Sequence, residues 1–236
     1  MYIKKGVMTY YNKIKILGLM NTGTNLIKKT LHNYYKIDEF VFNPWKHTWE
    51  IDTNVIESKC IYIIMVKDPL YWILSMMKAK YNGMHWDSNV QHGVLYDNTD
   101  NIHIYNKEYN KKRLLYHENV KTKVFDNMLL TWNYFMKMYL NINNQKIIIR
   151  YEDILLNPEK VFKNIDYYIE RKNKEKNSKI QLKRSKSFSD CRDLTEATKF
   201  YTNKENRIKS FYKKDIEYLQ KYISKDIMKL FNYNFI

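Results

Sequence analysis

Short apolar runs alternate along this chain with stretches whose apolar residues recur every three or four positions, a pattern that predicts strands and helices in turn. Residues 15–19 form the first run, which breaks at Asn21-Thr-Gly23. Beyond the break Leu26, Ile27, Thr30, Leu31 and Tyr34 keep helical spacing, so the segment reads as strand, tight turn and helix. The run Cys60-Ile-Tyr-Ile-Ile-Met-Val66 has the length of a buried strand and is too short for a buried helix. It ends at Lys67-Asp-Pro69, and Pro69 is well placed to open a helix over residues 70–80. From 81 to 119 the chain turns polar, with His85, His92, His103 and His117 scattered through it, and reads as a long irregular insertion of the kind that forms lids and binding loops. Val124, Phe125, Met128, Leu129, Trp132, Phe135, Met136, Tyr139 and Leu140 predict one long amphipathic helix over 120–140.

A third apolar run, Lys146-Ile-Ile-Ile149, precedes Arg150-Tyr-Glu-Asp153, and Asn157-Pro158 opens another helix through Phe162 and Ile165. Residues 171–189 are dense in Lys, Arg, Ser and Asn and read as a solvated, mobile segment. Helical periodicity returns over 208–231 through Phe211, Ile216, Leu219, Tyr222, Ile227 and Leu230. Strands alternating with helices imply a parallel sheet. No internal repeat is present, and 236 residues fit one domain spanning 1–236.

Composition changes this picture in three ways. Only five glycines and three prolines occur, so each one in a patterned place is informative. The formal net charge of +16 favours an anionic partner, although abundant Lys, Asn, Ile and Tyr are equally what an A- and T-rich coding sequence would produce. Cys60 and Cys191 stand alone, with no CxxC pair and no histidine at zinc-ligand spacing, so neither a disulfide framework nor a metal is expected. The amino-terminal residues lack an apolar signal region, and no run approaches the roughly 18 apolar residues of a membrane span, so the expected product is soluble and cytoplasmic.

The chemistry concentrates in three motifs. Gly18-Leu-Met-Asn-Thr-Gly-Thr-Asn25 lies between a strand and a helix, a geometry that aims backbone N–H groups and a helix N-terminus at an anion. Its glycine spacing matches a Walker A loop, yet Thr24 and Asn25 occupy the places of that motif's Lys and Ser or Thr, which argues against an ordinary NTPase. Lys67 follows a buried strand, at the end where ligands of open α/β sheets bind, and Ser75 stands eight residues on. Glu152 and Asp153 are paired carboxylates for which capping or ion pairing is the simpler role.

A basic residue, Asp, Pro and a Ser eight positions after the basic one together resemble the 3′-phosphate signature of the PAPS-dependent sulfotransferases (PAPS, 3′-phosphoadenosine 5′-phosphosulfate). Arg150-Tyr-Glu-Asp-Ile-Leu-Leu-Asn-Pro158 is similar to a segment that family carries after a core strand, and the three motifs occur in the family's order over residues 15–169. The resemblance implies a three-layer, P-loop NTPase-like α/β fold with a central parallel sheet flanked by helices. It implies that Lys67 and Ser75 bind the 3′-phosphate and that Thr22, Gly23, Thr24, Asn25 and Leu26 hold the 5′-phosphosulfate. Where the family has a loop Lys or Arg, this chain has Asn21, which donates a hydrogen bond but brings no charge. Lys46 is the candidate substitute, and His47, in a Trp-Lys-His segment that resembles some members, is the candidate base.

The expected activity is sulfuryl transfer from PAPS to a hydroxyl or amine, leaving PAP (adenosine 3′,5′-bisphosphate), with no metal. A small-molecule kinase and an inactive nucleotide- or nucleic-acid-binding module are the alternatives, and no feature selects nucleic acid as a partner. Acceptor and oligomeric state stay open.

Overall fold

The computed structural model describes residues 10–41, 46–51, 59–77, 84–86, 102–106, 121–172, 180–182, 194–209 and 211–234. Four parallel strands form the central sheet in the order β2 (Glu39–Phe40), β1 (Lys13–Gly18), β3 (Cys60–Val66), β7 (Lys146–Arg150). All seven residues of β3 are buried, as a central strand covered on both faces requires. Its side chains alternate between two cores. Tyr62, Ile64 and Val66 join a cluster built with α2 (Pro69–Met77), α3 (Met128–Leu140), α8 (Lys213–Tyr222) and α9 (Lys225–Leu230). Ile61, Ile63 and Met65 join one built with α1 (Thr24–Tyr34), α4 (Tyr151–Leu156), α5 (Pro158–Ile165) and α6 (Leu194–Thr202). The protein is thus α/β, with a parallel sheet flanked by helices. Among the described residues, no helix is long and apolar enough to cross a membrane.

Register decides what lies together. Gly18 pairs with Met65 and Arg150 with Val66, so the carboxyl ends of β1, β3 and β7 share one edge of the sheet. The loop after β1, Lys67 after β3 and Tyr151 after β7 therefore converge.

Several sequence expectations need correction. The helix predicted over 120–140 begins only at Met128: residues 121–125 are strand β6, with Phe125 buried and Val124 51% exposed, the alternation of a strand. Asn127 divides the two elements, because its side chain accepts the Leu130 N–H at 2.9 Å and caps α3. The insertion at 81–119 is not wholly irregular, since β4 (Met84–Trp86) pairs antiparallel with β5 (Ile102–Asn106), and β5 with β6, in a second sheet. His85 and His103 are register partners in it, whereas His92 and His117 lie outside the described residues.

The basic segment is anchored at its start. Arg171 pairs with Asp166 at 2.6 Å, and Lys172 Nζ donates to the His32 carbonyl at 2.6 Å. Ile180 is buried against the α1 side of the sheet, while most of 173–191, with Cys191, lies outside the described residues. The tail is two helices rather than one continuous period: Ser224 caps α9, and Leu230 is 65% exposed. Helices α6 and α7 (Lys204–Lys209) have no counterpart in the sequence reading.

Candidate functional site

The turn after β1 is tight for reasons visible in its residues. Thr22 donates both its N–H (3.3 Å) and its hydroxyl (2.6 Å) to the Leu19 carbonyl. Asn21 and Gly23 both take positive φ, at 62° and 90°, which Asn tolerates and Gly adopts freely. A Cβ on Gly23 would come within 2.6 Å of the Tyr151 ring, and one on Gly18 within 2.7 Å of the Met65 carbonyl, so both glycines permit close approach. Trp72 braces the turn from α2 by donating to the Met20 carbonyl at 2.8 Å.

Helix α1 then starts at Thr24 with no side-chain cap. Its first-turn N–H groups, on Thr24, Asn25 and Leu26, have no intrahelical partner by construction and none among the described residues. Leu26 itself packs into the core, so its contribution at this end is its N–H alone. Thr22 is fully buried with both donors committed inside the turn; the phosphate contact expected of it is not available in this conformation. Asn21 turns its amide away from the helix end, donating to the Ser75 carbonyl at 3.1 Å and to Met76 Sδ.

Lys46 and His47 do come to the loop. The Gly18 N–H donates to the Lys46 carbonyl at 3.1 Å, and Lys46 Nζ donates to Asn25 Oδ1 at 2.5 Å, at the start of α1. Burial, with the Lys28 cation nearby, holds the Lys46 ammonium down to about 8. His47 is buried, and because a carbonyl can only accept, its Nδ1 carries the proton donated to Gly18 O at 2.5 Å. Burial first, then Lys46, push the imidazole down to about 3, so it is neutral at physiological pH and braces Gly18 rather than facing solvent as a base.

Lys67 and Ser75 meet. The end of β3 and one face of α2 place Lys67 Nζ 2.8 Å from Ser75 Oγ, which itself donates to the Tyr71 carbonyl. Lys67 also reaches the Asn21 carbonyl at 3.4 Å, linking the two motifs. Two aromatic rings cover the ammonium: Tyr201 of α6, centroid 3.9 Å away, and Tyr151 of α4, at 4.5 Å. The Tyr201 hydroxyl lies 3.2 Å from Ser75 Oγ, and Lys67 is 2% exposed. Tyr151 was legible inside the Arg-Tyr-Glu-Asp segment, whereas nothing near Leu194, Ala197 and Tyr201 marked a short helix that crosses the site.

Behind the lysine, Asp68 pairs with Arg207 of α7 at 2.6 Å, and Glu152 accepts the Asp68 N–H at 3.1 Å. Glu152 thus has a buried hydrogen-bonding role, and Asp153 pairs with Arg150 at 2.5 Å. The arrangement can hold an anion at two places about the same loop: the first turn of α1 beside Lys46, and the Lys67–Ser75 pair. No known protein family, curated protein or solved structure matches the chain.

Proposed function

We propose that this protein is a P-loop-like sulfotransferase that binds PAPS and transfers its sulfuryl group to a hydroxyl or amine. The observation that carries the reading is the 2.8 Å contact between Lys67 and Ser75, eight residues apart and beside the loop of the neighbouring parallel strand. An ammonium and a hydroxyl that converge so suit a phosphate, which would give each a charge-assisted partner. They receive the 3′-phosphate once the Tyr201 ring moves from over Nζ. The N–H groups at the α1 N-terminus take the 5′-phosphosulfate.

In the transfer, the acceptor oxygen or nitrogen forms a bond to sulfur and gives up its proton to solvent water, while the bond from sulfur to the bridging oxygen breaks. Negative charge grows on that oxygen as PAP leaves. Lys46, at the helix end, opposes this charge, which is the role the uncharged Asn21 does not fill. His47 acts as a positioning residue through Gly18. The orientation of Asn21 toward Ser75 favours one second reading, a nucleotide-binding protein without transfer activity.

Equilibrium titration with PAP, AMP and ATP with magnesium tests the proposal. PAP should bind tightest, and release of PAP from PAPS with an acceptor panel separates transferase from non-catalytic binder. Preference for ATP with magnesium would identify a kinase instead.

A further inference from the structure

Below the Lys67–Ser75 pair lies an acidic pair that the proposed transfer does not use. Asp68 and Glu152 are 4% and 8% exposed. Asp68 has a full counter-charge in Arg207, 2.6 Å away, and accepts the Leu70 N–H at 2.9 Å. The oxygens of Glu152 are held by neutral donors, the Asp68 N–H at 3.1 Å and the Tyr233 hydroxyl at 3.2 Å. The charged and titratable groups facing Glu152 come from every element around it: Asp68 and Lys67 at the end of β3, Tyr71 on α2, Arg150 at the end of β7 and Tyr233 in the carboxyl-terminal segment. Arg207 of α7 stands one group further off, behind Asp68. Arg150 turns its guanidinium to Asp153 and to the Asn232 carbonyl, so Lys67 is the cation shared between Glu152 and any anion at Ser75.

The charge count of this cluster sets up a linkage. Lys67 and Arg207 balance Asp68 and an ionised Glu152 at net zero. A phosphate at Lys67 adds about two negative charges to a site from which water is excluded. A proton on Glu152 is the nearest means of relief. We propose that occupation of the Lys67–Ser75 subsite by a phosphate is coupled to uptake of a proton by Glu152, so that binding at this subsite is controlled by pH. The inference rests on the nucleotide reading above. Burial, and after it the Asp68 charge, raise the Glu152 carboxyl to about 7, which puts the coupled proton within the physiological range. The direction follows: an arriving anion raises the carboxyl further, protons are taken up, and affinity weakens as pH rises through 7 and above.

Calorimetric titration of the full chain with PAP, at pH 7.5 in two buffers of different ionisation heat, counts the protons. The comparison is with Glu152→Gln, which retains an acceptor for the Asp68 N–H but cannot titrate. PAP's own phosphate ionisation is common to both proteins. The wild type should take up more protons than the variant, and its affinity should fall about five- to tenfold more between pH 6.5 and 8.5, tenfold corresponding to one pH unit of displacement in the coupled titration. Equal uptake with parallel affinity profiles would overturn the linkage and leave the nucleotide site standing. No PAP binding by the wild type at either pH would overturn the nucleotide reading, and the linkage with it. Should Glu152→Gln not fold, wild-type uptake is compared with that expected from a titration of free PAP; uptake no larger than the nucleotide's own share refutes the coupling.

Discussion

Replacing Gly23 with alanine probes the turn at its most constrained point. Gly23 has φ +90°, and an added Cβ would sit 2.6 Å and 2.9 Å from Tyr151 Cδ2 and Cε2, with Met65 Cε at 3.4 Å. Holding an L-residue at that φ costs roughly 1–2 kcal/mol. Overpacking against the ring adds about 1–3 kcal/mol. Their sum, about 2–5 kcal/mol, is a large part of the roughly 5–15 kcal/mol by which such a domain is stable. At about 2–4 °C per kcal/mol for a chain of this size, melting should fall by roughly 5–20 °C. Urea unfolding followed by circular dichroism measures the same loss as a lower midpoint at unchanged slope. In a Tyr151→Ala background the ring is gone and only the φ cost remains, so the penalty of Gly23→Ala should shrink to about 1–2 kcal/mol. A Gly23→Ala protein within about 0.5 kcal/mol of wild type, or a penalty indifferent to Tyr151, would refute the argument. The bulkier Gly23→Val, where folded, should lose nucleotide binding.

Lys46→Met should lower sulfuryl-transfer turnover while leaving PAP affinity nearly unchanged, because the charge that Lys46 opposes develops in the transition state. At saturating PAPS, wild-type turnover should also decline at a pH above the value of about 8 to which burial and Lys28 bring this ammonium in the ligand-free protein, because the bound anion raises it again. Lys46→Met should show no such decline. Asn127→Ala removes the cap between β6 and α3 and should cost about 1 kcal/mol, read from denaturant midpoints. Asn21→Lys should raise turnover in the Lys46→Met background if a loop cation is what the reaction lacks; no gain there would separate Asn21 from the chemistry.

The parts of the fold legible in the sequence are those fixed by local pattern. The all-apolar Cys60–Val66 run can be little but a central strand, and Gly18 and Gly23 mark a turn whose close contacts exclude side chains. The meeting of Lys67 and Ser75 was implied by the family resemblance, and eight residues do carry the chain from the strand end to one face of the next helix. Val124 and Phe125 fit a helical spacing by coincidence, and only the strand pairing of residues 121–125 with β5 separates them from α3. Tyr201 lies 126 residues from Ser75, so no local pattern announces that it covers the site. The placement of His47 is tertiary in the same sense: its packing on Gly18, rather than its neighbours in sequence, decides its protonation and its role as a brace.

The claim on which the account depends is that Lys67 holds a 3′-phosphate, and the direct measurement is the binding of PAP and of AMP to wild type and to Lys67→Ala. Removing a charge-assisted contact should weaken PAP binding by about 1.5–3 kcal/mol. AMP, which lacks the 3′-phosphate, should bind weakly to both proteins and lose little. A folded Lys67→Ala variant that loses affinity for PAP and AMP equally, or for neither, would contradict the assignment.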